Sequence, residues 1–263
     1  MSLFSQYSAY YDLLYQDKDY NAEADYVARR IRQALPDGKT ILELGSGTGR
    51  HGRLLAEMGF DVHGIERSAE MVMLAGVAGD EMNTPSAPNT RSPGSFTCEV
   101  GDVRSARVSR RFDAVASLFH VVSYQTTNAD VLATFKTASE HLDAGGIFFF
   151  DVWHGPSVVA QKPELRVKRM EDSKVKIIRI AEPVWNSEVN RITVAYTILA
   201  TDKATGNVTE FTEDHPMRYY FPLEIDLLSQ ASGFKIESSE EWLTGLPPSD
   251  STWGVTYLLR KNQ

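Results

Sequence analysis

The 263-residue chain has a single cysteine, Cys98, so no intrachain disulfide can form and nothing asks for an oxidising compartment. Positive charge is short as well: 27 Lys and Arg against 35 Asp and Glu leave a net charge of -8. That balance argues against a surface that wraps a polyanion, because nucleic-acid binders carry a basic patch or stripe. Long hydrophobic runs are missing too, and none approaches the roughly 20 residues that a helix needs to cross a bilayer. The opening segment, MSLFSQYSAYYDLLYQDKDY, is aromatic and acidic, unlike a secretory signal. The expectation is a cytoplasmic protein with no membrane and no nucleic-acid partner. His51, His63, His141, His154 and His215 show no metal-site spacing, so no metal is expected.

What is present is an alternation of strands and helices. Apolar residues recur at helical spacing over 21–35, where Ala24, Val27, Ala28, Ile31 and Leu35 share a face. TILELGSG then reads as a buried strand running into a glycine turn, and RHGRLLAEMG as a helix closed by Gly59. FDVHGIE is a second strand, followed by a helix capped by Ser68. Residues 80–94, rich in Pro, Ser and Asn, read as a loop. SFTCEVGD and RFDAVASLFHV are a third and a fourth strand. A helix over 128–142 leads to GGIFFFDVW, a fifth and nearly all-apolar strand. This pattern implies βαβ units and a parallel sheet covered on both faces. From about Gly155 the period changes to two, as in RITVAY, with turns at WNSEVN and KATGN: antiparallel hairpins. PLEIDLLSQASGF restores helical spacing before two short strands in KIESSEEW and WGVTYLLR.

The stretch LELGSGTGRHG carries the chemistry. Gly45, Gly47 and Gly49 stand two apart, whereas a dinucleotide fingerprint needs a glycine where Arg50 stands, and no Gly-Lys-Ser/Thr follows. A phosphate cradle is therefore disfavoured. Glu43 precedes the glycines, Glu66 ends the second strand, and Asp102 follows the third. An acid at the second position can accept two ribose hydroxyl protons.

ILELGSGTGRHGRLLAEMGFDVHGIERSAEMVMLA, followed in order by GDVR, FDAVASLFHVVSY and LDAGGIFFFDVW, resembles the core of class I S-adenosylmethionine-dependent methyltransferases. The resemblance implies an α/β enzyme: a Rossmann-like, doubly wound, mostly parallel seven-stranded sheet with an inserted antiparallel β-sheet. It implies S-adenosylmethionine as cofactor. Glu43 would orient the loop and face the methionine amino group, with Gly45, Ser46, Gly47 and Gly49 as bare backbone against the cofactor. Glu66 would hold the ribose, Arg67 and Met71 flank the adenine, Asp102 and Val103 bind its edge, and Leu118 to His120 line the methyl.

YYDLLY near the N-terminus and MRYYFPLEIDLLSQASGF near the C-terminus resemble bacterial N,N-dimethyltransferases of nucleotide-linked amino sugars. On that footing residues 1–154 and 222–263 form the core with an N-terminal helical lid, and 155–221 forms part of the acceptor site. Tyr11 and Tyr20 become cofactor-lid residues, although aromatics packing a terminal helix explain them equally well. His120 and Tyr124 are the catalytic candidates, His120 as a proton acceptor beside the methyl. Tyr219, Tyr220 and Trp253 are weaker candidates for an aromatic wall. Arg166, Lys168 and Arg169 could meet a diphosphate or form a solvated face. The acceptor is expected to be a small molecule bearing an amino group, with hydroxyl methylation and a non-catalytic cofactor-binding role as rivals. The oligomeric state is open, a homodimer included.

Overall fold

A computed structural model describes residues 10–81 and 94–263, without the side chains of residues 11, 12 and 77–81. A short helix α1 (Tyr11–Leu14) leads to α2 (Tyr20–Ala34). Asp19 caps α2, its carboxylate accepting from the Ala22 N–H at 2.9 Å. Then follow β1 (Thr40–Leu44), α3 (Arg50–Glu57), β2 (Asp61–Glu66), α4 (Ala69–Glu81), β3 (Phe96–Val100), β4 (Phe112–Ser117), α5 (Asn128–Glu140) and β5 (Leu142–His154). Ser68 caps α4 by accepting from the Met71 N–H at 3.2 Å. Most of the expected 80–94 loop lies outside the described residues, and its first two residues continue α4.

The chain continues through α6 (Gly155–Gln161), β6 (Arg166–Glu171), β7 (Val175–Asn186), β8 (Arg191–Asp202), β9 (Val208–Tyr220), α7 (Pro222–Ala231), β10 (Phe234–Glu241) and β11 (Gly254–Lys261). Strands β3, β2, β1, β4 and β5 pair side by side in parallel. On the far side of β5, β11 pairs antiparallel with it and with β10. Seven strands thus make the core sheet, with β11 alone reversed. Strands β6 to β9 form an antiparallel meander. It joins the core where Trp153 and His154 of β5 pair with Tyr219 and Tyr220 of β9.

The all-apolar run in β5 follows from this placement, because a central strand is covered on both faces. Phe148 and Phe150 pack with Phe135, Phe234 and Tyr257 on one face, while Phe149 packs with Tyr26, Val27 and Leu258 on the other.

Three expected boundaries move. β4 stops at Ser117, because Phe119 and His120 take φ of 63° and 62°, a left-handed conformation that cannot continue a ladder. α5 ends at Glu140 and β5 begins at Leu142 almost without a loop. The hairpin region begins with α6, started by Pro156 in its first turn, before any strand.

Candidate functional site

The turn after β1 holds Gly45, Gly47 and Gly49 at φ of 80°, 55° and 75°. At Gly45 a Cβ would lie 2.6 Å from a Val121 methyl, so neither the backbone nor the space accepts a side chain. Gly47 is also left-handed, but a Cβ there would meet nothing within 4 Å. Its bare backbone borders a cavity of about 560 Å³. The backbone N–H groups of Gly45 and Ser46 donate to the Ile65 carbonyl, tying the turn to β2.

Glu66 braces the turn from the end of β2. One carboxylate oxygen accepts from the Gly47 N–H at 3.0 Å and the other from the Ser68 N–H at 2.8 Å. Each oxygen keeps a further lone pair, the arrangement that a pair of vicinal hydroxyls requires. Arg67, Met71 and Val103 line the same end of the cavity, as does Ser46. Asp102 lines it too, with both oxygens engaged by Arg104, which also reaches Asp130 at 2.8 Å. The Arg104 hydrogen bonds hold the Asp102 carboxyl below its usual range. The edge expected from Asp102 alone is thus an Asp102–Arg104 pair.

Glu43 and Gly49 do not border the cavity. Glu43 lies behind the loop at 1% exposure, against Gly52, with Oε2 lacking a hydrogen-bond partner. Burial pushes its carboxyl up to about 8, against partial relief from Arg53 and with Glu66 adding to the rise. Tyr20 lines the cavity, with the Arg50 guanidinium 4.7 Å from its ring centre. Tyr11 belongs to α1, but its side chain lies outside the described residues.

At the other end, the Leu118–His120 turn meets the cavity together with Tyr124. The His120 N–H donates to both oxygens of Asp151, and His120 Nδ1 lies 2.6 Å from Asp151 Oδ2. Asp151, on β5, is 1% exposed. Burial alone would raise its carboxyl, but the attraction and hydrogen bonds of His120, with Lys18 beyond, hold it below the ordinary value. With Nδ1 against Asp151, Nε2 is the nitrogen left for a ligand. Lys18, between α1 and α2, sits 3.4 Å from the Phe119 ring centre and 2.8 Å from Glu23, which also meets His51 Nε2 at 2.7 Å. Burial, opposed by Glu23, lowers the Lys18 ammonium.

Trp153 and Trp253, with ring centres 5.5 Å apart, wall this end, and β7 to β9 contribute Arg179, Tyr196 and His215. Tyr219 and Tyr220 lie in the core at 1% and 0% exposure and do not border the cavity. Arg166, Lys168 and Arg169 do not border it either; Lys168 instead pairs with Asp17 at 2.6 Å. The cation that the meander brings to the cavity is Arg179, between the rings of Tyr15 and Tyr196 at 5.6 and 5.0 Å. Sequence reasoning missed Asp151, although an acid inside FFFDVW already implied a buried, paired charge.

The bare face of Gly47 and the lone-pair arrangement of Glu66, both on the cavity, fit the backbone approach and the vicinal hydroxyls of a nucleoside cofactor. Together with the strand order they define a class I methyltransferase-like protein. The chain belongs to the methyltransferase-domain family, whose model matches residues 17–239. It is an S-adenosylmethionine-dependent methyltransferase. The dTDP-3-amino-3,4,6-trideoxy-α-D-glucopyranose N,N-dimethyltransferase of Streptomyces venezuelae is 28% identical, over 88% of this chain and 90% of that protein. The dTDP-3-amino-3,6-dideoxy-α-D-glucopyranose N,N-dimethyltransferase of Streptomyces fradiae is 26% identical, over 90% and 89%. The S-adenosylmethionine-bound structure of CalS10, an amino pentose methyltransferase from Micromonospora echinaspora, matches with a TM-score of 0.72 and 25% identity, covering 98% of each chain. Among the described residues no helix is long and apolar enough to cross a membrane.

Proposed function

We propose that this enzyme methylates the amino group of a small, sugar-sized acceptor, with residues 155–221 supplying one wall of the acceptor site and residues 1–154 and 222–263 the core. One observation carries the reading: His120 is held on the buried Asp151 in the same cavity that the glycine turn borders. When bound, the cofactor supplies a methyl group already activated on a sulfonium. The protein has to align an acceptor nitrogen, exclude water and remove a proton. His120 Nε2 takes the proton that the nitrogen must lose to expose its lone pair. Asp151 stabilises the resulting imidazolium through Nδ1 and keeps the ring oriented. Trp153, Trp253 and Tyr196 give the acceptor a dry aromatic wall suited to a cationic amine. The amino-sugar substrates named for the Streptomyces relatives support the same acceptor class.

Incubation with S-adenosylmethionine and dTDP-3-amino-3,6-dideoxy-α-D-glucopyranose, beside other amino sugars and their hydroxy counterparts, tests this by mass spectrometry. One or two methyl groups on nitrogen are expected. Methylation of the hydroxy compounds alone, or of no amine, would overturn the reading.

A further inference from the structure

Beside Tyr124 stands a further histidine–carboxylate couple, separate from His120–Asp151 and from His51–Glu23. Tyr124 ends the turn Val121–Tyr124, and its hydroxyl lies 2.8 Å from His215 Nδ1. His215 Nε2 lies 3.4 Å from Glu213 Oε2. Glu213 and His215 are two apart on β9, so both leave the same face of the meander. On β8, Tyr196 stands opposite Glu213 and Val194 opposite His215. The Tyr196 ring meets the imidazole edge-on with centres 4.9 Å apart. His215 is 3% exposed, and the Glu213 side chain 11%.

We propose that Glu213, acting through His215, fixes the Tyr124 hydroxyl as a hydrogen-bond acceptor toward the methyl acceptor, so that this end of the cavity selects a group bearing its own N–H. The inference rests on the reading that the acceptor amine binds beside His120. An ionised carboxylate only accepts hydrogen bonds, so the proton between Glu213 and His215 belongs on Nε2. A neutral imidazole protonated there offers a lone pair at Nδ1, and Tyr124 meets that lone pair by donating. With its proton directed to His215, the phenol oxygen offers lone pairs to the cavity it lines. Burial pushes the Tyr124 phenol well above its usual range, with Tyr15, Tyr196 and Glu213 adding to the rise, so it keeps its proton at neutral pH. His120 then takes the proton that must leave the nitrogen, while Tyr124 accepts a hydrogen bond from an N–H that stays. Held at two points, the nitrogen has its lone pair oriented. Glu213 and His215 are positioning residues.

Long-range proton–nitrogen NMR of the full chain saturated with S-adenosylhomocysteine tests this directly, with His215→Asn to assign the ring. The expected His215 carries its proton on Nε2, with an Nδ1 resonance that moves toward the free pyridine-like position in Tyr124→Phe. A proton on Nδ1, or a doubly protonated ring, overturns the inference, and the wild-type reading needs no substitution. In kinetics with an amine acceptor, Tyr124→Phe and His215→Leu should raise KM about tenfold or more, the value of one hydrogen bond to a charged group. His215→Asn, which keeps an acceptor oxygen near the place of Nδ1, should recover most of that loss. An unchanged KM in Tyr124→Phe also overturns it. If no amine is methylated at all, the proposed acceptor class fails while the tautomer still decides this inference.

Discussion

Glu43 and Gly45 show how individual residues are spent on the site. Glu43 carries a carboxyl that burial raises from an ordinary 4.5 to about 8. The folded state therefore holds this proton more tightly than the unfolded chain. The stability it lends is complete below pH 4.5 and is lost as pH rises through 8. Glu43→Gln, which needs no proton, should be more stable than the cofactor-free wild type at pH 9 and gain little below pH 5. The gap should grow by about 1.4 kcal/mol per pH unit between pH 4.5 and 8 and level off above that. Urea unfolding at several pH values checks this, and a gap independent of pH contradicts it. Gly45→Ala should destabilise by about 2–4 kcal/mol, combining left-handed strain with overpacking against Val121. Adding Val121→Ala should recover the packing part and leave the backbone part, as a double-mutant cycle by thermal unfolding can show.

At the scale of elements, the cavity depends on a short turn held from a distance. The Tyr220 hydroxyl, at the end of β9, lies 3.1 Å from the Val122 carbonyl oxygen and 2.9 Å from that of Gln125, and so fastens the Val121–Tyr124 turn to the meander. Tyr220→Phe should cost about 1–3 kcal/mol, since the Gln125 carbonyl loses this donor while that of Val122 keeps only the Gln125 N–H. It should lower methyl-transfer kcat while the affinity for S-adenosylhomocysteine holds, because the loosened turn carries His120 and Tyr124 and not the glycine loop. A loss of cofactor affinity equal to the loss of kcat contradicts this division. The same scale separates what could be read in the sequence from what could not. The glycine loop was legible because left-handed backbone is written in glycine, as at Gly45 and Gly47. The turn at Phe119 and His120 uses the same conformation without glycine, so SLFHVV read as a continuing strand. The alternation RITVAY revealed the meander but not which face meets the core. His215, 91 residues from Tyr124, therefore carried no local signal. The cluster Arg166, Lys168 and Arg169 looked like an anion site, while β7 turned a solitary arginine, Arg179, toward the cavity instead.

At the scale of the molecule, a mostly parallel sheet ends at a cavity beside the glycine turn, and an antiparallel meander hung from the tip of β5 lines the same cavity. On the proposed reading the two halves have separate jobs: the β1 and β2 ends hold the donor, and the turn after β4 with the meander handles the acceptor. Such a division would let acceptor recognition change through the meander while the donor site is kept, since the meander lies outside the sheet that supplies Glu66 and the glycines. It also means that substitutions at the two ends should separate in a binding experiment. The most direct test is calorimetric titration of S-adenosylhomocysteine into the wild type, Glu66→Ala and His120→Ala. One site per chain is expected in the wild type, with at least tenfold weaker binding in Glu66→Ala and affinity within about twofold of wild type in His120→Ala. No binding to the wild type, or equal losses in the two variants, would contradict it.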